Sequence, residues 1–216
     1  MNITLFGATG KLGSALLSQC IEAGHEITVL ARTPSKLPTS ALEHSSVTVV
    51  QGDALKTEDV DRVLFTETQA ILFAIGVDEK NSPQNLCTDT TRNILDVMRA
   101  KNIPRLVWCG GGSNLLPLRD KITFGSKVVR WYANSFLNHR HTDKEHQMEL
   151  LNANKDICWV GIRPLQMKKG PKRGVYRLGY DKFSGLSNIS FADCVHAMIG
   201  MMEDDTWVGE VPIVQY

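Results

Sequence analysis

The chain has 216 residues, 24 Lys and Arg against 23 Asp and Glu, 43% hydrophobic and 22% charged residues, and a formal net charge of +1, so no global field draws it to nucleic acid or to a membrane surface. Five widely spaced cysteines without a C-x-x-C pair argue against a disulfide scaffold and for free buried thiols in a reducing compartment. No apolar run approaches the roughly 18 residues of a membrane span, and residues 1–10 lack the charged start and apolar core of a signal peptide, so a cytoplasmic protein with neither membrane nor nucleic-acid partners is expected.

Short apolar runs alternate with segments of helical period. Residues 2–6 read as a strand, and 11–24 as a helix with Leu12, Ala15, Leu16, Gln19 and Ala23 on one side. Residues 26–32 and 47–53 are the second and third strands. Residues 56–64 predict a helix with Thr57 as N-cap and acids in its first turn. Residues 70–76 form a fourth strand, and 85–102 a long helix with Leu86, Thr90, Ile94, Val97 and Met98 near one face. A fifth strand, 105–110, runs into Gly110, Gly111 and Gly112. The rhythm then breaks at 116–141, where Val128, Val129, Trp131, Tyr132, Phe136 and Leu137 predict one amphipathic helix. Core packing is the first expectation for that stripe, a lid or a dimer face the alternatives. A helix is expected to follow, with Thr142 as N-cap and Glu145 completing a capping box. Residues 156–164 are strand six, 165–185 a basic, Gly-rich loop, and 187–204 a short strand and a helix capped near Ser190 or Asp193.

These strands are continuous apolar runs, which marks parallel strands covered on both faces. The βαβα order predicts an α/β Rossmann-type doubly wound parallel sheet. It is expected to be a single domain with a helical insertion (116–141) after strand five and a basic loop (165–185) near the substrate side.

The first βα turn carries the chemistry. Gly7, Gly10 and Gly13 are spaced G-x-x-G-x-x-G, for a tight turn, a close pyrophosphate and a helix pressed on the sheet. Ala8, Thr9, Lys11 and Leu12 complete that loop, and the helix N-terminus adds free N–H groups for phosphate. Strand two ends at Arg32, where an NAD-selective site carries an acid. Arg32, with Lys36 beside it, suits a 2′-phosphate, so the expected cofactor is NADP(H). Asp53, with Ala54, is placed to accept from the adenine amino group, and Ala74, Ile75 and Gly76 cover the adenosine side. Cys109, Gly110 and Gly111 stand beside the nicotinamide. Gly112 and Ser113, with Pro164, Leu165, Gln166 and Met167 opposite, form the substrate floor, the glycines leaving room for a flat acceptor.

The stretches 7–14, 26–38, 49–61, 91–107, 142–148, 162–166 and 209–216 together resemble the atypical short-chain dehydrogenase/reductases of the NmrA-like NAD(P)-binding family, in its flavin-reductase (biliverdin-IXβ reductase) branch. The resemblance implies hydride transfer from NADPH to a flavin, a linear tetrapyrrole or a quinone-like acceptor. The chain departs from it in three places. No Tyr-x-x-x-Lys pair exists, since Tyr132 is followed by Phe136 and Tyr176 by Tyr180. The branch's hydroxyl after strand five falls among Gly110 to Gly112, leaving Ser113 as the nearest. Its histidine after strand six falls on Gln166. Ser113 and His146 remain as candidate proton donors for an NADPH-dependent reductase of a flat, easily reduced acceptor. The alternative is an NADP(H)-binding sensor or regulator without turnover. His139, His141 and His146 lack metal-site spacing, and Lys168, Lys169, Lys172, Arg173 and Arg177 read as a solvated loop or an attractor for an anionic substrate. Monomer and homodimer are both compatible.

Overall fold

In the computed structural model, which describes residues 1–181 and 187–216, the apolar runs pair side by side. In chain order the elements are β1 (Asn2–Phe6), α1 (Lys11–Glu22), β2 (Glu26–Ala31), α2 (Thr39–Leu42), β3 (Val47–Gln51), α3 (Thr57–Val63), β4 (Ala70–Phe73) and α4 (Leu86–Lys101). They continue with β5 (Leu106–Cys109), α5 (Phe124–Phe136), α6 (Asn138–Ala153), β6 (Trp159–Pro164), β7 (Met167–Lys168), β8 (Arg177–Gly179), β9 (Ile189–Ser190), α7 (Phe191–Gly200) and β10 (Ile213–Gln215). The main sheet runs β3-β2-β1-β4-β5-β6-β10-β8, parallel except where β8 pairs antiparallel with β10. Strand order reverses between β1 and β4, and the ligand crevice of such sheets opens outside the strand ends at that point.

Alternate residues of each strand feed opposite faces, as a pleat requires. Leu5, Leu72 and Val107 pack on α1 and α7 with Leu16, Cys20, Cys194 and Met198. Phe6, Phe73 and Trp108 pack on α3, α4 and α6 with Val60, Ile94, Met98 and Leu151. Cross-strand register stacks Phe6, Phe73, Trp108 and Gly161 in one row. A side chain on Gly161 would collide with the Trp108 indole, so the glycine makes room for the large ring.

Several local expectations need correction. The buried side of α1 is Leu12, Gly13, Leu16, Leu17 and Cys20. Gln19 instead bonds the Ala192 carbonyl at 2.9 Å, and Ala23 is exposed. Lys56, not Thr57, holds the cap position of α3, and the Thr57 hydroxyl donates to Asn93 Oδ1 at 3.2 Å. Thr142 caps nothing: α6 already begins at Asn138, and Thr142 Oγ1 donates back to Asn138 Oδ1 at 3.3 Å. The capping box in this region belongs to α5, between Thr123 and Ser126. The aromatic stripe is not core, because Trp131 and Phe136 are each 62% exposed and Tyr132 52%. The basic loop contributes β7 and β8, and its residues 182–185 lie outside the described residues. The Ser190 hydroxyl caps α7 by accepting from the Asp193 amide.

Two buried polar anchors hold this region, one tying the insertion to the sheet and one tying α6 to α4. The Arg163 guanidinium forms a fork with Asp120, 2.7 Å on each arm, both side chains 0% exposed. Arg163 also bonds the carbonyls of Asn114 (2.6 Å) and Val211 (2.7 Å). At the other anchor, Asp143 of α6 accepts from the Cys87 and Thr88 amides at 2.7 and 3.0 Å. This caps α4, whose own Asn85 makes no side-chain cap bond. Asp120→Ala leaves the Arg163 charge buried and unpaired, and about 3–5 kcal/mol of unfolding free energy is expected to be lost. A urea titration with the midpoint unchanged would refute this anchoring role.

Candidate cofactor and active site

Each glycine of the first βα turn answers a different constraint. Gly7 has φ +89°, and a Cβ there would stand 2.6 Å from the Ala74 and Ile75 backbone, so β1 can pass β4 only with glycine at this point. A Cβ on Gly13 would run into the Gly7 carbonyl, which fixes α1 close to the sheet. At Gly10 the protein makes no such demand, since a Cβ would meet only the Gly7 oxygen at 3.4 Å. Gly10 caps α1 without a side chain and lines the cleft. The N-terminus of a 12-residue helix thus begins at the cleft wall, where Thr9 and Gly10 are exposed, the arrangement that receives a phosphate.

That cleft has a volume of about 430 Å³, within the range of small-molecule sites. It brings together the expected Gly7, Thr9 and Gly10, Arg32 and Lys36, Asp53 and Ala54, and Ala74, Ile75 and Gly76. Ala8, Lys11, Leu12 and Gly13 do not line it; Ala8 and Leu12 are core side chains. Phe6, Leu30, Ala31, Thr33, Gly52 and Leu86 line it as well and were missed. The first five lie one or two positions from expected residues, whereas Leu86 arrives from α4 and carries no local signal. Among the described residues, the exposed Arg32 and Lys36 side chains have no hydrogen bond or ion pair. Asp53 Oδ1 accepts from the Leu55 amide at 3.1 Å. This set fits a dinucleotide: amides for the pyrophosphate, two uncommitted cations at one end, and apolar and glycine surface between.

The glycines after β5 serve the protein itself. Gly110 and Gly112 extend the pairing with β6, their amides donating to Ile162 (2.8 Å) and Pro164 (2.9 Å). A Cβ on Gly112 would stand 2.6 Å from Leu165 Cα, and one on Gly110 3.0 Å from the Trp108 ring. The room expected there for a flat acceptor is filled at Gly112 by the Leu165 backbone. Leu165 packs with Leu115, Val129 and Ile213, Met167 pairs with Ile189, Pro164 is buried and Gln166 exposed.

Beyond the glycines, Ser113 Oγ lies 3.1 Å from His141 Nδ1. His146, the other candidate proton donor, is exposed and faces Asn85 Oδ1 at 3.4 Å. Sequence reading missed His141 because the assumed helix start put it outside α6. It also missed Lys144, whose ammonium is buried at 6% exposure. Lys144 Nζ donates to the carbonyls of Cys109 (3.0 Å) and Ile75 (3.3 Å) and to Gln147 Oε1 (2.8 Å). It also sits 5.0 Å from the centre of the Phe73 ring, so its charge is fully partnered. The spacing Arg140-x-x-x-Lys144, two basic residues one helical turn apart, was the available signal. Arg140 Nε and Nη2 donate to the Val77 carbonyl at 3.1 and 2.9 Å, which pins the loop after β4. Burial lowers the His141 pKa from its ordinary value; Glu145 opposes the shift and Arg130 adds to it. Burial also pushes the Cys20 and Cys87 thiols up to about 12 and about 11, which makes them core side chains rather than nucleophiles.

A parallel sheet reversed at β1/β4, a glycine turn opening α1 to solvent and a cleft across the strand ends define a dinucleotide-binding α/β protein. Residues 7–205 match the NAD(P)H-binding family model. The chain belongs to that family. Among solved structures it is similar to a Bacteroides thetaiotaomicron protein described as a candidate epimerase, 25% identical over 100% of this chain and 96% of the other, TM-score 0.81. It is also similar to a short-chain dehydrogenase/reductase of Veillonella parvula in complex with NADP, 16% identical over 100% and 94%, TM-score 0.79. A third is the anaerobilin reductase of Escherichia coli O157:H7, 16% identical over 100% and 97%, TM-score 0.75.

The glycine roles separate experimentally. Gly13→Ala forces a backbone collision, and a loss of about 1–3 kcal/mol in stability is expected. Gly10→Ala is expected to leave the thermal midpoint nearly unchanged while weakening NADPH binding about tenfold or more, because the added methyl stands where a phosphate approaches. Intact binding by Gly10→Ala in a fluorescence titration would remove this turn from the cofactor site.

Proposed function

We propose that the protein is an NADPH-dependent reductase that delivers hydride to a flat, easily reduced acceptor of flavin or quinone type. The observation that carries the reading is the cleft itself, with the N-terminus of α1 at Gly10 at one place and Arg32 and Lys36 uncommitted at another. NADPH supplies the hydride when bound. Arg32 and Lys36 would hold its 2′-phosphate, since β2 ends without the carboxylate that would repel one. Gly7, Gly10 and the first turn of α1 would hold the pyrophosphate, and Asp53 the adenine amino group.

At the far end, Lys144 keeps the ends of β4 and β5 at fixed spacing by bonding both Ile75 and Cys109. A rigid floor of this kind favours hydride transfer through positioning. The similarity to an enzyme that acts on anaerobilin supports a flat conjugated acceptor. The hydroxyl–imidazole contact at Ser113 favours turnover over binding alone, because a sensor has no use for a proton-exchanging pair there. Five free thiols, four of them buried, support placing this chemistry in a reducing cytoplasm.

The direct test mixes the protein with NADPH and FMN, riboflavin or a quinone and follows loss of reduced-nicotinamide absorbance. Turnover with at least one acceptor is expected, and tight NADPH binding with no oxidation above background would sink the reductase reading. Arg32→Asp is expected to weaken NADPH binding about tenfold or more while NADH binding changes little. Equal losses for both nucleotides would show that Arg32 does not meet the 2′-phosphate.

A further inference from the structure

Ser113 and His141, 28 positions apart, meet where the extension of β5 ends. The Asn114 amide defines the state of the ring. Its Nδ2 donates to the His141 carbonyl at 2.9 Å and lies 3.1 Å from His141 Nδ1. Turning the amide over would set its oxygen against that carbonyl, so Nδ1 faces an N–H and carries the lone pair, and the ring proton sits on Nε2. Nε2 is buried with no hydrogen-bond partner among the described residues, and the Glu145 carboxylate stands 3.3 Å away at ion-pair range. Arg130 of α5 reaches the same carboxylate at 3.7 Å. Among the described residues, the charged groups facing the ring are Glu145 from its own helix and Arg130 from α5. The loop after β5 presents the neutral Ser113 and Asn114. The ring is 1% exposed and Glu145 30%, while Ser113 is half-buried in the loop that continues parallel β5 past its C-terminal end, the side of the sheet on which ligand crevices open.

We propose that Ser113 protonates the acceptor and that His141 holds the proton that refills it, which makes the acceptor a conjugated carbonyl, a quinone or a ketone, rather than a flavin. The proposal rests on the reductase reading above. In reduction, the carbonyl carbon receives the hydride from the C–H bond that NADPH supplies, and the C=O π pair moves to oxygen. That oxygen takes the Ser113 hydroxyl proton, and Ser113 takes the Nδ1 proton of the imidazolium, leaving the ring neutral with its proton on Nε2. After product release, the half-exposed Ser113 passes a solvent proton back to Nδ1. The sum is acceptor, NADPH and one proton giving alcohol and NADP⁺. His141 acts through Ser113 and is a positioning residue. Glu145 stabilises the imidazolium across the ring, while Arg130 and the Asn114 N–H that faces Nδ1 oppose it.

The sign of the pH dependence follows. Reduction uses the imidazolium, so its rate is high at low pH and falls as pH rises through the ring's pKa. Burial depresses that pKa, which puts the falling limb below the ordinary histidine value of about 6.5. Oxidation of the product alcohol by NADP⁺ rises with pH through the same point.

The test follows NADPH oxidation by phenanthrenequinone against pH, alongside ¹⁵N-detected titration of the His141 ring in the cofactor-free protein. Expected are a ring proton on Nε2 near neutral pH, a midpoint below about 6.5 and a kinetic limb that coincides with it. Glu145→Gln should move midpoint and limb together to lower pH, and Arg130→Gln together to higher pH. Both side chains are partly exposed, so these variants keep the fold. His141→Asn should lower kcat about a hundredfold, with KM changed little, and abolish the limb. A limb that ignores both charge variants, or survives His141→Asn, overturns the proton role while flavin turnover leaves the reductase reading standing. No NADPH oxidation with any acceptor overturns both.

Discussion

Asp143, Lys144 and Gln147 lie buried on the face of α6 that meets the sheet, where a packed helix ordinarily presents apolar side chains. Removing charges from water is costly unless each finds full partnership, and here each does. Asp143 takes the amides that open α4, together with the Thr88 hydroxyl at 2.8 Å, so its charge also meets the positive end of that helix. Lys144 joins the carbonyl ends of β4 and β5. Gln147 accepts from Lys144 and donates to the Thr91 hydroxyl at 2.8 Å. Such bonds are directional where apolar packing is not. Sliding α6 by one turn would strand two buried charges at once, so the helix has a single register on α4 and on the strand ends. His141, less than one turn before Lys144, inherits that register.

The loop from Gly110 to Asp120 is fixed from its other side by Arg163. A guanidinium has its donors in a rigid fork, and this one spends them on Asp120, on the Asn114 carbonyl and on the Val211 carbonyl. The backbone at Asn114 is therefore clamped between β6 beneath and α6 above. Gly110 and Gly112 allow the approach, because a side chain at either would meet Trp108 or Leu165 before the clamp closed. A run of three glycines, which elsewhere reads as mobility, here marks backbone packed against backbone.

The sheet was legible because parallel strands buried on both faces leave continuous apolar runs, and because Gly7 and Gly13 answer constraints that only glycine satisfies. Strand ends came out one to three residues long for a physical reason. Arg32, Asp53 and Ala74 to Gly76 continue the run of the chain past the last paired residue and form the cleft wall. What stayed hidden broke the rule that buried means apolar. The inner face of α6 is polar from His141 to Gln147, so His141 and Lys144 looked like solvent positions, while the apolar-looking stripe of α5 is exposed. β10 is three residues long and directly follows Pro212, too short to register as a period. Leu86 reaches the cleft through topology alone.

The chain lacks a Tyr-x-x-x-Lys pair, and α6 shows what its own residues do instead. The Lys144 ammonium is committed to carbonyls and aromatic faces. Arg140, one turn earlier, is committed to the Val77 carbonyl. A guanidinium does not release protons near neutral pH, so this position has become an anchor for the loop after β4. One residue along a helix turns the side chain by roughly 100°, which carries His141 away from that loop and onto the one after β5, against Ser113. The absence of that pair thus does not strip the helix of titratable groups. The neighbouring position faces the loop after β5 and carries an imidazole whose pKa burial lowers from its ordinary value.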